Sequence, residues 1–323
     1  MKTTKHLILA VALCLCSAFN AEAAYNGTPV TPKQINSSNY TTYGFTSTNY
    51  SAYNGWYAIS TAEELYGFAA LVNGGTTSAN GVLTADIIVN ENVLKADGTL
   101  NGTPTYSWTP IGTSSYAFNG IFDGNGHTVS GLYFYNLISG RYPNGGDYVG
   151  LIGCAGSATI KNVGVIDSYL HGTFDVGAIL GYNSHTIGSI VNCFSTSTIV
   201  ATRTSGGCCA GGIAGYNGSC TINNCFSIGK VIGNTGKVGG IVGEKGGGSV
   251  SNCFYLAGMA KDGSNVVQYG IGGTIGSTTA DVSGQTTSAT AEEFASVKIA
   301  YLLNGSVSGG TTWYKNLSGE IDA

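Results

Sequence analysis

The chain has 323 residues and a formal net charge of −4, and only 9% of its residues are charged, against about 25% in ordinary soluble domains. So little charge argues against a nucleic-acid partner or a strongly acidic one. Gly at 51 of 323 residues and abundant Thr, Ser, Asn, Val, Ile and Tyr favour short strands and turns, and the 20 tyrosines with regular apolar spacing argue against disorder.

In chain order, residues 1–23 read as a secretory signal peptide. Lys2 and Lys5 precede an apolar run from Leu7 to Phe19, and Ala21-Glu22-Ala23 offers small residues for cleavage. That run is too short to span a bilayer, and no later segment reaches 18 apolar residues, so a secreted or cell-surface chain without a membrane span is expected. Residues 24–55 read as an N-terminal arm or linker. Residues 56–144 are expected to hold a capping helix and the first coils of a solenoid. "STAEELYGFAALVN" from Ser60 has a Ser/Thr start, Glu63 and Glu64 in its first turn, and Leu65, Phe68, Ala69 and Val72 at helical spacing. "FDGNGHTV" at Phe122–Val129 reads as a tight turn between strands, with Asp123, Asn125 and His127 alternating along it.

Residues 145–258 repeat. "VGLIG" (Val149–Gly153), "GAILG" (Gly177–Gly181), "GGIAG" (Gly211–Gly215) and "GGIVG" (Gly239–Gly243) end on glycines spaced 28, 34 and 28 residues apart. Periods of 20–50 residues mark solenoids and arrays. A second motif follows each: "IKNVG", "IVNCF", "INNCF" and "VSNCF", from Ile160, Ile190, Ile222 and Val250. Each unit holds two or three short strands and cannot bury an apolar face alone. Stacked on its neighbours it can, each strand pairing with its equivalent one coil away at about 4.8 Å. The expected fold is therefore all-β, a right-handed parallel β-helix with short capping helices near both ends. Three columns follow: aliphatic (Leu151, Ile179, Ile213, Ile241), asparagine (Asn162, Asn192, Asn224, Asn252) and aromatic (Phe194, Phe226, Phe254, with Gly164 breaking it). Residues 259–323 supply a last coil and a second helix, "TAEEFASVKIAYLLN" from Thr290.

The glycine–aliphatic–apolar–glycine pieces resemble the GLUG motif of bacterial surface proteins and of the non-catalytic part of immunoglobulin A1 protease-like proteins. "YAISTAEELYGFAALVNGG", "WTPIGTSSYAFNGIFDGNGHTVSGLYF" and the tail "FASVKIAYLLNGSVSGGTTWYKN" resemble such proteins too, so the likeness runs from Trp56 onward. It implies a non-catalytic surface role.

No His-Glu-x-x-His motif is present, and His127, His171 and His185 are far apart in sequence, so neither zinc protease chemistry nor any other metal or cofactor is expected. Polysaccharide-acting β-helix enzymes use carboxylates from neighbouring coils. Counting six residues back from each closing glycine gives Asp147, Asp175, Cys209 and Lys237, so Asp147 and Asp175 are expected one coil apart; the plainer reading is two solvated turn carboxylates. Cys193, Cys225 and Cys253 share a column where Val163 stands in the first repeat, which favours buried thiols over bridges. Whether that column or the flanking Asn and Phe columns face inward is left open. Tyr133, Tyr135, Tyr142 and Tyr148 offer either strand packing or an exposed platform for sugar or protein. The six-residue insertion at Ala201–Cys209, with Arg203 and Thr204, offers a binding loop. The sequence thus favours adhesion or recognition of a host or bacterial surface glycan or protein, without catalysis. A polysaccharide lyase or hydrolase and a purely structural stalk are the alternatives.

Overall fold

The computed structural model describes residues 25–140, 145–183, 187–203, 208–234, 236–274 and 284–304. The signal-peptide region 1–23, Tyr142, His185 and Thr204 lie outside the described residues.

Short β-rich segments broken by Gly and Asn wind into a parallel β-helix. Each full coil contributes strands to five sheets, not to the two or three that the repeat suggests. We number the sheets in the order a coil visits them. Sheet I holds Tyr148–Val149, Asp175–Gly177, Cys208–Gly211 and Gly236–Gly239. Sheet II holds Ile152–Ala155, Leu180–Asn183, Ala214–Asn217, Val242–Lys245 and Ile271–Thr274. Sheet III has seven strands, from Tyr57–Ile59 and Gly81–Leu83 through Ile121–Asp123, Thr159–Lys161, Ser189–Val191 and Thr221–Asn223 to Ser249–Ser251. Sheet IV also has seven, from Ile87–Ile88 to Thr286–Ala289, and includes Gly164–Ile166, Phe194–Ser195, Phe226–Ser227 and Cys253–Leu256. Sheet V holds Tyr133–Tyr135, Tyr169–Gly172, Thr198–Ala201, Val231–Gly233 and Ala260–Asp262. Neighbouring strands within each sheet are parallel, as a solenoid requires.

The core is a stack of in-register side chains. Ile160, Ile190, Ile222 and Val250 form an inward row on sheet III, and Leu170, Ile199 and Val231 one on sheet V. The aliphatic column sits at the bend between sheets I and II. Leu151, Ile179, Ile213 and Ile241 are all fully buried, and the Ile179 and Ile213 amides donate to the Ile213 and Ile241 carbonyls one coil on. Each fully buried aliphatic side chain stabilises the fold by about 1.5–3 kcal/mol before entropy is counted.

The asparagine column makes the corner between sheets III and IV. Asn162, Asn192, Asn224 and Asn252 all have φ between 47° and 55°, the left-handed region in which Asn is better tolerated than other L-residues. Their amides form a ladder: each Nδ2 donates to the Oδ1 of the preceding coil, Asn252 to Asn224 at 2.5 Å, Asn224 to Asn192 at 3.4 Å and Asn192 to Asn162 at 3.1 Å. Asn162 closes the ladder on Asp123 Oδ1 at 3.0 Å. Asp123 is buried and also receives the Asn125 amide, the Tyr53 hydroxyl and the Lys161 ammonium, so "FDGNGH" is a turn and the ladder terminus at once.

The structure resolves which side of this corner faces in. Cys193, Cys225 and Cys253 point into the core as free thiols, each within 3.2–3.4 Å of the carbonyl two residues earlier. Phe194, Phe226 and Phe254 point out from sheet IV. The Phe194 and Phe226 rings stack at 5.0 Å, and the Phe194 ring occupies the space a Cβ on Gly164 would need, 2.3 Å from its Cζ.

The two ends are built differently. Helix α1, Ala62–Asn73, is capped by the Thr61 hydroxyl, which accepts from the Glu64 amide. It joins the first two strands of sheet III and sinks Leu65, Phe68, Ala69 and Val72 into the main core. The second helix departs from expectation. It is two helices, α2 (Ala291–Ala295) and α3 (Val297–Leu303), broken at Ser296, whose hydroxyl caps α3. They do not close the end of the main core. Phe294, Ile299, Ala300 and Leu303 lie over the outer face of sheet IV against Ile166, Phe194, Ile228 and Phe254, because that face is apolar and needs cover. The arm is likewise laid on a sheet. "NYTTYG" and "NYSAYN" form matching 3-10 turns, Tyr40 stacks on Tyr50 at 4.4 Å, and Ile35 and Phe45 cover Ala58 and Val82 on the outside of sheet III.

Candidate functional site

Two outward-facing places gather chemistry. The first is the seam between sheets I and II. Here the expected carboxylate pair fails on register. Val149 pairs with Val176 and Ile152 with Leu180, so the first coil crosses the bend in one residue fewer than the second. Counting back from the closing glycine is therefore off by one. Tyr148, not Asp147, stands beside Asp175. Asp147 precedes the strand and accepts the Thr173 hydroxyl at 2.6 Å. The sheet I row is Tyr148, Asp175, Cys209 and Lys237, and sheet II faces it with Tyr182, Tyr216 and Glu244. Tyr148, Tyr182 and Tyr216 stack in sequence at 4.6 and 5.3 Å. The Cys209 thiol lies 3.5 Å from Glu244 Oε2, and Glu244 pairs with Lys237.

Asp175 is 1% exposed, and neither carboxylate oxygen has a hydrogen-bond partner among the described residues. Burial raises its carboxyl well above the usual range. The Cys209 thiol opposes this, Glu244 and Asp147 add to it, and Arg203 opposes it. Burial also drives the Cys209 thiol far above its ordinary value, with Asp175 and Glu244 adding to the effect. Burial thus disfavours the charged form of both groups. Among the described residues, no group of three or more His, Cys, Asp and Glu could hold a metal ion.

The second place is the outer face of sheet V. Strand alternation sends Phe134, Leu170 and Ile199 inward and Tyr133, Tyr135, Tyr169, His171, Thr198 and Val200 outward. Tyr133 and Tyr169 rings lie 6.5 Å apart at 28°, and Tyr135 meets the His171 ring edge-on at 4.8 Å. Tyr135 is 52% exposed, with Leu137 and Ile138 exposed beside it. The Tyr169 hydroxyl lies 3.3 Å from His171 Nδ1, and His171 Nε2 is buried without a partner among the described residues. Burial lowers the His171 pKa, so the ring is neutral at neutral pH.

The predicted tyrosine cluster is thus divided. Tyr133 and Tyr135 share this face, whereas Tyr148 belongs to the sheet I–II seam. Tyr169 and His171 escaped the sequence reading, although Tyr169-x-His171 repeats the two-residue alternation of Tyr133-x-Tyr135. Arg203 sits at the corner between sheets V and I, its guanidinium 4.6 Å over the Phe174 ring.

No protein-family model matches the chain, and no curated protein matches it. Among solved structures, the chain is similar to the crystal structure of a "putative immunoglobulin A1 protease" from Bacteroides ovatus. The two share 19% identity with a TM-score of 0.45, over 76% of this chain and 88% of that one.

Proposed function

We propose that this protein is a non-catalytic, surface-presented β-helix that recognises a glycan or protein partner through the outer face of sheet V. The observation that carries this reading is Tyr135, half-exposed on a flat sheet and backed by Tyr133, Tyr169 and His171. Aromatic side chains placed this way supply contact area at low entropic cost, and interface hot spots are rich in them. The GLUG-like repeat and the secretory start of the sequence fit the same role. No described helix is long and apolar enough to cross a membrane.

The test is binding of the purified protein to an array of surface glycans and extracellular proteins. Replacing Tyr135 by Ala removes an exposed ring, so folding is retained and affinity falls by about tenfold or more, equivalent to about 1.4 kcal/mol. Unchanged binding by that variant would reject this face. A parallel lyase and hydrolase screen covers the enzyme alternative: polysaccharide turnover abolished by Asp175→Asn would overturn the non-catalytic reading.

A further inference from the structure

We propose that the ligand of the sheet V face is an uncharged pyranose chain, held by stacking on Tyr135 and Tyr133 and by a hydrogen bond from His171. This rests on the recognition reading above and names its ligand class.

Three observations lead there. First, the six outward positions of the first three sheet V strands carry no formal charge. The Tyr135 row continues through His171, Val200 and Ile232 before it reaches a cation, Lys261. Acidic glycans need cations opposite them, and the aromatic end of this face offers none.

Second, the face pairs flat apolar rings with the hydroxyls of Tyr133 and Tyr135. A neutral sugar presents the complementary surface, an apolar C–H face rimmed by hydroxyls. The rings recur on successive coils, about 4.8 Å apart in backbone spacing, so a chain of sugars has repeated contacts along the axis.

Third, His171 holds an unused polar atom. We assign the Tyr169 hydroxyl as donor to Nδ1, which leaves the ring hydrogen on Nε2 of a neutral imidazole. That N–H has no acceptor among the described residues and lies beside an exposed tyrosine. Rotation of Tyr135 onto a bound sugar ring gives the N–H a hydroxyl oxygen to donate to.

The experiment is isothermal titration of the whole protein with cellohexaose, xylohexaose and mannohexaose, beside polygalacturonate and heparin as acidic probes. The expected result is saturable binding to at least one neutral chain, little changed by about 0.5 M salt, since no charge pair is involved. Tyr135→Ala and His171→Phe each weaken it by about tenfold, and His171→Gln, which keeps a side-chain N–H, retains more affinity than His171→Phe. His171 is half-buried, so its variants are compared only where their melting matches wild type. Tyr135 is exposed and serves as the independent variant. Binding confined to the acidic probes and lost in salt overturns the proposal, as does neutral-glycan binding indifferent to Tyr135→Ala. A protein partner bound through Tyr135, with no neutral glycan bound, also overturns it but leaves the recognition reading standing. If no glycan or protein engages Tyr135, both fall.

Discussion

Asp175 gives the sharpest energetic prediction. Its carboxyl is buried in the sheet I–II seam beside Cys209, without a hydrogen-bond partner among the described residues, and its pKa is raised well above the ordinary carboxylate range chiefly by burial. Below pH about 3.9 the folded and unfolded chains both keep this proton. As pH rises, the unfolded chain releases it first and the folded chain does not, so Asp175 destabilises the fold increasingly. The slope is one proton's worth, about 1.4 kcal/mol per pH unit, until the folded carboxyl itself ionises. Asp175→Asn keeps the shape and abolishes the titration. Urea unfolding followed by circular dichroism between pH 3.5 and 6 should show variant and wild type differing by a small constant near about pH 3.5. The variant should then gain about 1.4 kcal/mol by one unit above the unfolded carboxyl's pKa. Asp175→Val, which also removes the unsatisfied polar atoms, should gain about a further 1–3 kcal/mol at every pH. A difference between Asn and wild type that does not grow with pH, or a loss of stability that grows with pH, would refute the reasoning.

The other predictions concern the columns. Asn224→Ala breaks two ladder bonds and forces a Cβ-bearing, non-capping residue into the left-handed region, for a total cost of about 2–5 kcal/mol. Asn224→Gly breaks the same bonds without backbone strain, so chemical denaturation should place it about 1–2 kcal/mol above the Ala variant. Gly164→Ala drives a methyl group into the Phe194 ring and should cost about 1–3 kcal/mol, most of it recovered by adding Phe194→Leu. The seven cysteines of the described residues are all buried and none is in a disulfide, and burial pushes the Cys220 thiol up to about 12. They should therefore resist a neutral thiol reagent in the folded protein and react fully once it is denatured.

The solenoid was legible because its determinants are local and repeated. Gly-flanked aliphatics and Asn at a fixed offset can be aligned by eye, and stacking converts each alignment into a column. Leu151, Ile179, Ile213 and Ile241 show this directly. What was not legible depended on quantities the motif does not carry. The bend after Val149 is one residue shorter than that after Val176, and this single deletion exchanged Tyr148 for Asp147 beside Asp175. The inward side at the Asn corner was ambiguous because a left-handed residue resets strand alternation, leaving Cys225 inside and Phe226 outside. The C-terminal helices have a readable pattern, but their docking site, the outer Phe row, is a tertiary fact. Tyr169 and His171 were missed because the repeat was read from its glycines, and sheet V has no motif of its own.

The most direct test of the account is where a ligand touches the protein. With the protein labelled with nitrogen-15 and titrated with a glycan or protein that it binds, the account predicts amide shifts centred on Tyr133–Tyr135 and Tyr169–Gly172, two adjoining strands of sheet V. Shifts centred instead on Asp175, Cys209 and Lys237 in the sheet I–II seam, with sheet V unmoved, would contradict it.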